Sequence, residues 1–129
     1  MMRLAPRFAT AALAAALVLA AVPHARAGLE GQYVIRGTNP SGQQYKGRAA
    51  IKSAEGVYQV VWKIGESKHV GTGILKNDML SVVYRATGRG KRPGLVVYQV
   101  QDDGSLVGVW VGLGKTETGT ERWRPANAR

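Results

Sequence analysis

The chain contains no cysteine and only two histidines. The first absence excludes a disulfide framework, a thiolate metal site, a catalytic thiol and a lipid-anchored cysteine. The second leaves His69 as the one histidine after residue 27. No metal-spaced set of His, Asp and Glu surrounds it in sequence, and no Gly-x-Ser-x-Gly is present. Beyond the N-terminal segment no stretch keeps a helical period over ten residues. The triplet Gly114-Lys115-Thr116 ends like a phosphate-binding loop, but Val109 stands where the first glycine belongs and no helix follows, so that reading fails. A nucleophile with its base, paired carboxylates and metal ligands are all missing. The expectation is a protein that is not an enzyme and carries no metal or cofactor.

Acidic residues are also scarce, 8 Asp/Glu against 18 Lys/Arg. Three of the basic residues, Arg3, Arg7 and Arg26, belong to a distinct N-terminal segment. There, a basic start precedes an apolar run from Ala9 to Val22 and an Ala25-Arg26-Ala27 cleavage pattern. Residues 1–27 therefore read as a secretory signal peptide, cut after Ala27. The alternative, a retained anchor, has to contend with an apolar run too short for a comfortable span. Residues 28–129 make one domain, periplasmic or secreted, with 15 Lys/Arg against 8 Asp/Glu. A basic domain outside the cytoplasm meets anionic partners. An anionic ligand, an acidic protein or an acidic polysaccharide is expected, and nucleic acid is not.

What remains is period-two alternation broken by turn chemistry such as "TNPSG", "SAEG", "KND" and "QDDG". It predicts eight strands, at 32–36, 44–52, 57–64, 68–75, 79–85, 95–100, 106–111 and 116–123. Eight short strands joined by hairpins predict an all-β fold, an eight-stranded antiparallel up-and-down β-barrel. Alternate residues give an inner face that mixes very large with very small side chains. Tyr45, Tyr58, Trp62, Tyr84, Tyr98, Trp110 and Trp123 stand among Gly47, Gly71, Gly73, Gly108 and Gly119. A narrow barrel gives the glycines a reason, because bulky rings need neighbours without side chains. Strand bulges are the competing explanation.

The outward positions differ around the barrel. Strands two to four present Lys46, Arg48, Lys52, Gln59, Lys63, Lys68 and Thr72, a solvated face. Those lysines and the short strands argue against a membrane-spanning barrel. Strands six and seven are apolar on both faces, which turns Leu95, Val97, Val107, Val109 and Val111 outward, with Val83 beside them. A patch of that kind marks a homodimer contact, or else the chain's own ends cover it.

Hairpin loops alternate between the two barrel ends. One end collects "GTNPSGQ", "GES", "ATGRGKRPG" and "GLGK", with Arg36, Arg89, Lys91, Arg92 and Lys115 against Glu66. The other end is net acidic. The basic mouth is the expected binding end, with Asn39 in its first loop. Glu121 is the one carboxylate on the inner face. A buried charge needs partners, and Tyr33, Tyr45, Tyr98 or Arg36 can supply them. Either Glu121 is a satisfied structural group near the rim or it orients a ligand.

The leading "GQYV" and the recurring Gly-x-Gly resemble avidin-like and lipocalin-like small barrels. More closely, "GTNPSGQQYKGRAAI", "YQVVWKIG", "GTGIL", "LSVVY", "GLVVYQVQDDGSLVGVW" and "GTE" are similar to a family of small exported bacterial proteins often labelled fibronectin-binding. That resemblance spans most of residues 31–121 and implies a barrel and a binding role, with no catalytic residue. Biotin binding does not carry over. Asn39 and Ser41 are loop acceptors, but Pro40 departs from the avidin pattern. The expected function is non-enzymatic binding of an anionic ligand or acidic macromolecule by the basic mouth. The alternative is a hydrolase inhibitor acting through the 86–94 loop.

Overall fold

The structure, a computed structural model, describes residues 28–127. The expected signal peptide, residues 1–27, lies outside the described residues, as do the last two residues of the C-terminal tail. Eight strands follow in order: β1 (Gly31–Thr38), β2 (Gln44–Ala54), β3 (Val57–Ile64), β4 (Ser67–Lys76), β5 (Met79–Ala86), β6 (Pro93–Val100), β7 (Leu106–Gly112) and β8 (Gly119–Pro125). Each pairs antiparallel with the next, and β8 pairs with β1, closing the barrel. Among the described residues no helix is long and apolar enough to cross a membrane.

Three of the hairpins are two-residue turns whose backbone matches the twist of the strands they join. Glu55-Gly56 and Asn77-Asp78 have positive φ at both central residues, and Gly65-Glu66 has it at the glycine. Such turns fix register, and register fixes which face each side chain takes. The inner face is the expected one on every strand from β2 to β8, and β1 adds Tyr33, Ile35 and Gly37. Buried side chains on it include Ile35, Ile51, Val60, Trp62, Leu80, Val82, Tyr98, Leu106 and Trp123.

The glycines make room, as steric necessity rather than as bulges. A Cβ on Gly71 would stand 2.9 Å from the Trp62 ring and 2.7 Å from Val82. On Gly108 it would stand 2.4 Å from Tyr98, on Gly119 2.3 Å from Trp110 and on Gly94 2.4 Å from Tyr84. In the last three cases the ring belongs to the residue directly opposite on the neighbouring strand. An aromatic lying across a facing glycine is a recognised way to compensate the missing side chain. Gly108 shelters Tyr98 rather than a tryptophan, because the cross-strand partner is the nearest ring.

One end of the barrel is plugged. Leu29, just before β1, is buried, and the Tyr33 hydroxyl donates to its carbonyl at 2.6 Å. The opposite end carries the loops 39–43, 65–66, 87–92 and 113–118 and stays open. On the outside, Val83, Leu95 and Val109 are each half exposed or more. Their rows are continuous, Val83 facing Leu95 and Leu95 facing Val111, and Val97 facing Val109.

Gly71→Val and Gly108→Val are expected to destabilise the domain by about 1–3 kcal/mol each through overpacking. At roughly 4–8 °C per kcal/mol for a domain of this size, thermal melts should fall by several degrees or more. Thr72→Val, which adds no new bulk and points outward, is the control. Glycine variants that melt with the control would mean the interior is not crowded.

Candidate functional site

The centre of the open half is a single carboxylate, Glu121 on β8, only 7% exposed. Four side chains donate to it. The Tyr45 hydroxyl reaches Oε2 at 2.5 Å. The Tyr98 hydroxyl reaches Oε1 at 2.8 Å, Trp62 Nε1 reaches the same oxygen at 3.1 Å, and Trp123 Nε1 reaches it at 2.5 Å. An ionised carboxylate is acceptor-only with two lone-pair sites on each oxygen; three of these donors crowd Oε1, while Oε2, bonded to Tyr45 alone, keeps one site toward the cavity side.

The register explains how residues so far apart arrive there. Glu121 is flanked by Gly37 on β1 and by Gly108 on β7. Beyond those glycines stand Tyr45 on β2 and Tyr98 on β6. The row across five neighbouring strands thus reads Tyr98, Gly108, Glu121, Gly37, Tyr45. Each tyrosine lies across the glycine between itself and Glu121. A Cβ on Gly37 would fall inside the Tyr45 ring's contact distance at 2.1 Å. Trp123 sits two residues along the same face, and its ring centroid is 4.8 Å from that of Tyr98 and 5.8 Å from that of Trp62.

Burial, then the neighbouring Glu121 charge, holds the Tyr45 phenol far above its usual range. The same two causes raise Tyr98 and Tyr84. Phenols raised this way stay protonated and remain donors at neutral pH.

Above Glu121 a cavity of about 210 Å³ opens toward the loops. Tyr84, Trp110, His69 and Ile64 form its walls, Asn39 and Ser67 stand toward the loops, and Tyr45, Trp62, Val96, Tyr98 and Glu121 complete it. Two polar atoms around it are buried without a hydrogen-bond partner, His69 Nδ1 and Trp110 Nε1. The indole approaches the Tyr45 hydroxyl without hydrogen-bond geometry. Desolvation, first of all, lowers the His69 pKa; the Lys91 charge adds to this, and Glu121 opposes it.

Of the residues expected to form the site, Asn39 and Glu121 line the cavity. Arg89, Lys91 and Arg92 lie in the 87–92 loop and Lys115 in the 113–118 loop, all exposed. The two loops touch: Arg92 Nη1 lies 3.5 Å from the Cβ position of Gly114, and Leu113 N donates to Pro93 O at 2.9 Å. Arg36 is not at the mouth. β1 runs on to Thr38, and the alternation puts Arg36 on the outer wall, facing Lys46 and Arg122. Nor does it partner Glu121, and the Tyr33 hydroxyl is engaged by Leu29. β8 starts at Gly119 rather than Thr116, which leaves Glu117 in the mouth loop. The loops at this end therefore carry four cations against Glu66 and Glu117, less basic than the sequence led one to expect. The sequence reasoning missed Trp62 and Trp123 as donors. Their inward alternation was visible, and their indole N–H groups were the signal available.

No protein-family model matches the chain, and no curated protein matches it.

The depressed His69 pKa has a consequence for stability. The unfolded chain takes up a proton near pH 6.5, whereas the folded state resists it. Stability from this group is thus present above that pH and is lost as pH falls toward the folded value. Urea unfolding between pH 7.5 and 5.5 should show a decline in the wild type that is shallower in His69→Gln. Parallel curves would contradict the half-buried imidazole's resistance to protonation.

Proposed function

We propose that this barrel is a non-enzymatic binding protein that takes a small anionic ligand through its loop-bearing mouth. One observation carries the reading: an aromatic-walled cavity of about 210 Å³ lies at the barrel end whose loops hold Arg89, Lys91, Arg92 and Lys115, with the Lys91 charge felt by His69 in its wall. Apolar cavities with a few convergent polar groups on a rigid scaffold are the usual form of a small-molecule site. This cavity lies below the common range of about 300–1,000 Å³, so the inserted group is compact.

Charge sets the pose. Glu121 at the inner end repels an acid group pushed deep, and the loop cations attract one that stays outside. The ligand that satisfies both has an apolar or aromatic body against Tyr84 and Trp110 and an acidic group between Lys91, Arg92 and Lys115. Glu121 holds the cavity's rings in place: Oε1 accepts from Trp62, Tyr98 and Trp123, and Oε2 accepts from Tyr45.

Phenylacetate and phenethylamine, which share a ring and differ in charge, are the probes. Titration followed by tryptophan fluorescence should show the carboxylate binding tighter than the amine. Lys91→Glu with Arg92→Glu should weaken phenylacetate by tenfold or more and reduce its salt dependence, since exposed charges are screened over about 8–10 Å. Equal binding of both probes, or no effect of the reversal, would contradict the reading.

A further inference from the structure

The outer wall holds more organised positive charge than the mouth does. In one row across the sheet Arg122 on β8 faces Arg36 on β1, and Arg36 faces Lys46 on β2. In the next row Arg124 faces Val34, Val34 faces Arg48, Arg48 faces Lys63, and Lys63 faces Lys68. All seven cations are exposed. The outward positions of these five strands, β8 and β1 to β4, contain no Asp or Glu.

Like charges directly opposite each other in a sheet are destabilising, and opposite charges are the favoured arrangement. Here four directly facing pairs are both cationic: Arg122–Arg36, Arg36–Lys46, Arg48–Lys63 and Lys63–Lys68. The fold gains nothing from that arrangement by itself. A polyanion laid across the rows removes the repulsion and releases its own counterions.

The shape of the stripe selects among polyanions. It crosses five of the eight strands of a closed barrel, an arc of about 20 Å at the usual strand spacing, and it is convex throughout. A planar bilayer is tangent to such a wall and meets only part of the arc, whereas a flexible chain can follow all of it. Single-stranded nucleic acid is a flexible polyanion too, but it binds through aromatic platforms on which bases stack. The aromatic side chains of the described strands all belong to the inner face, and the wall offers none.

We propose that the two cationic rows on the wall of β8 and β1 to β4 bind an acidic polysaccharide, a linear glycan with regularly spaced carboxylate or sulfate groups. The surface is separate from the cavity, and its ligand is gripped by charge rather than by insertion. Binding is therefore strongly salt-dependent and tolerant of the sugar's identity.

The test uses the chain from Gly28 onward with heparin and polygalacturonate as probes, against phosphatidylglycerol vesicles and single-stranded and duplex DNA. The wall variant is Arg48→Gln/Lys63→Gln/Lys68→Gln. A control that removes the same charge from outside the two cationic rows, at the far ends of β2 and β4 and on β5, is Lys52→Gln/Lys76→Gln/Arg85→Gln. The wild type should bind both glycans, more tightly than vesicles or DNA at the same salt. The wall variant should lose tenfold or more in affinity near 0.1 M salt, and its log–log salt slope should fall by roughly one unit per contacting cation removed. The control should change affinity by less than about threefold and leave the salt slope near that of the wild type. Equal losses in the two variants would overturn the proposal, as would tighter binding to vesicles or DNA. The wall variant should also melt at or above the wild-type temperature in low salt. A lower melting temperature would contradict the repulsion on which the proposal stands.

Discussion

Everything in the open half of this barrel depends on one buried carboxylate satisfied by four neutral donors. Glu121 draws Tyr45, Trp62, Tyr98 and Trp123 from β2, β3, β6 and β8 onto a single point. Hydrogen bonds to a charged group contribute about 1.5–3 kcal/mol each, and an unpaired buried donor or acceptor costs a comparable amount. The hub is thus a commitment: made complete it locks four aromatic rings, and left incomplete it strains the whole mouth. Gly37 and Gly108 are part of it, because without side chains they let the two tyrosines cross a strand to reach the acid.

The same constraint shapes the cavity. Rings held on Glu121 cannot collapse into the space above it, while Leu29 and Tyr33 close the far end. The barrel is consequently filled below and open above, with Tyr84 and Trp110 held over their own facing glycines. The surfaces are thereby separated by chemistry. The interior offers aromatic surface and a hydrogen-bonded acid, the rim offers four exposed cations, and the wall offers two rows of facing cations.

Much of this was legible in the sequence, and the failures have physical causes. Strict alternation gave the inner face of β2 to β8, since a one-residue slip would expose every core side chain. Glu121 stood out because it was the lone acid on that face. Its donors were harder. Tyr45 and Tyr98 could be named as partners, but the tryptophans were weighed as bulk and not as N–H donors. Arg36 was misplaced because the end of β1 is polar and looks like the start of a loop, so two more ladder pairs went unread. The Thr116–Thr118 stretch misled in the opposite direction, with strand-like threonines in what is a loop. The wall was visible only in pieces, because its two rows draw on strands from both ends of the chain and only closure of β8 on β1 unites them.

The most direct test of the Glu121 hub is urea unfolding of Glu121→Gln, which keeps the side chain's size, removes its charge and leaves an amide oxygen for the three donors on Oε1 and an NH2 facing the Tyr45 hydroxyl. The account predicts a loss of at least about 2 kcal/mol, because four charge-assisted bonds become weaker neutral ones. A variant within about 0.5 kcal/mol of wild type, no more than an ordinary surface substitution, would contradict it.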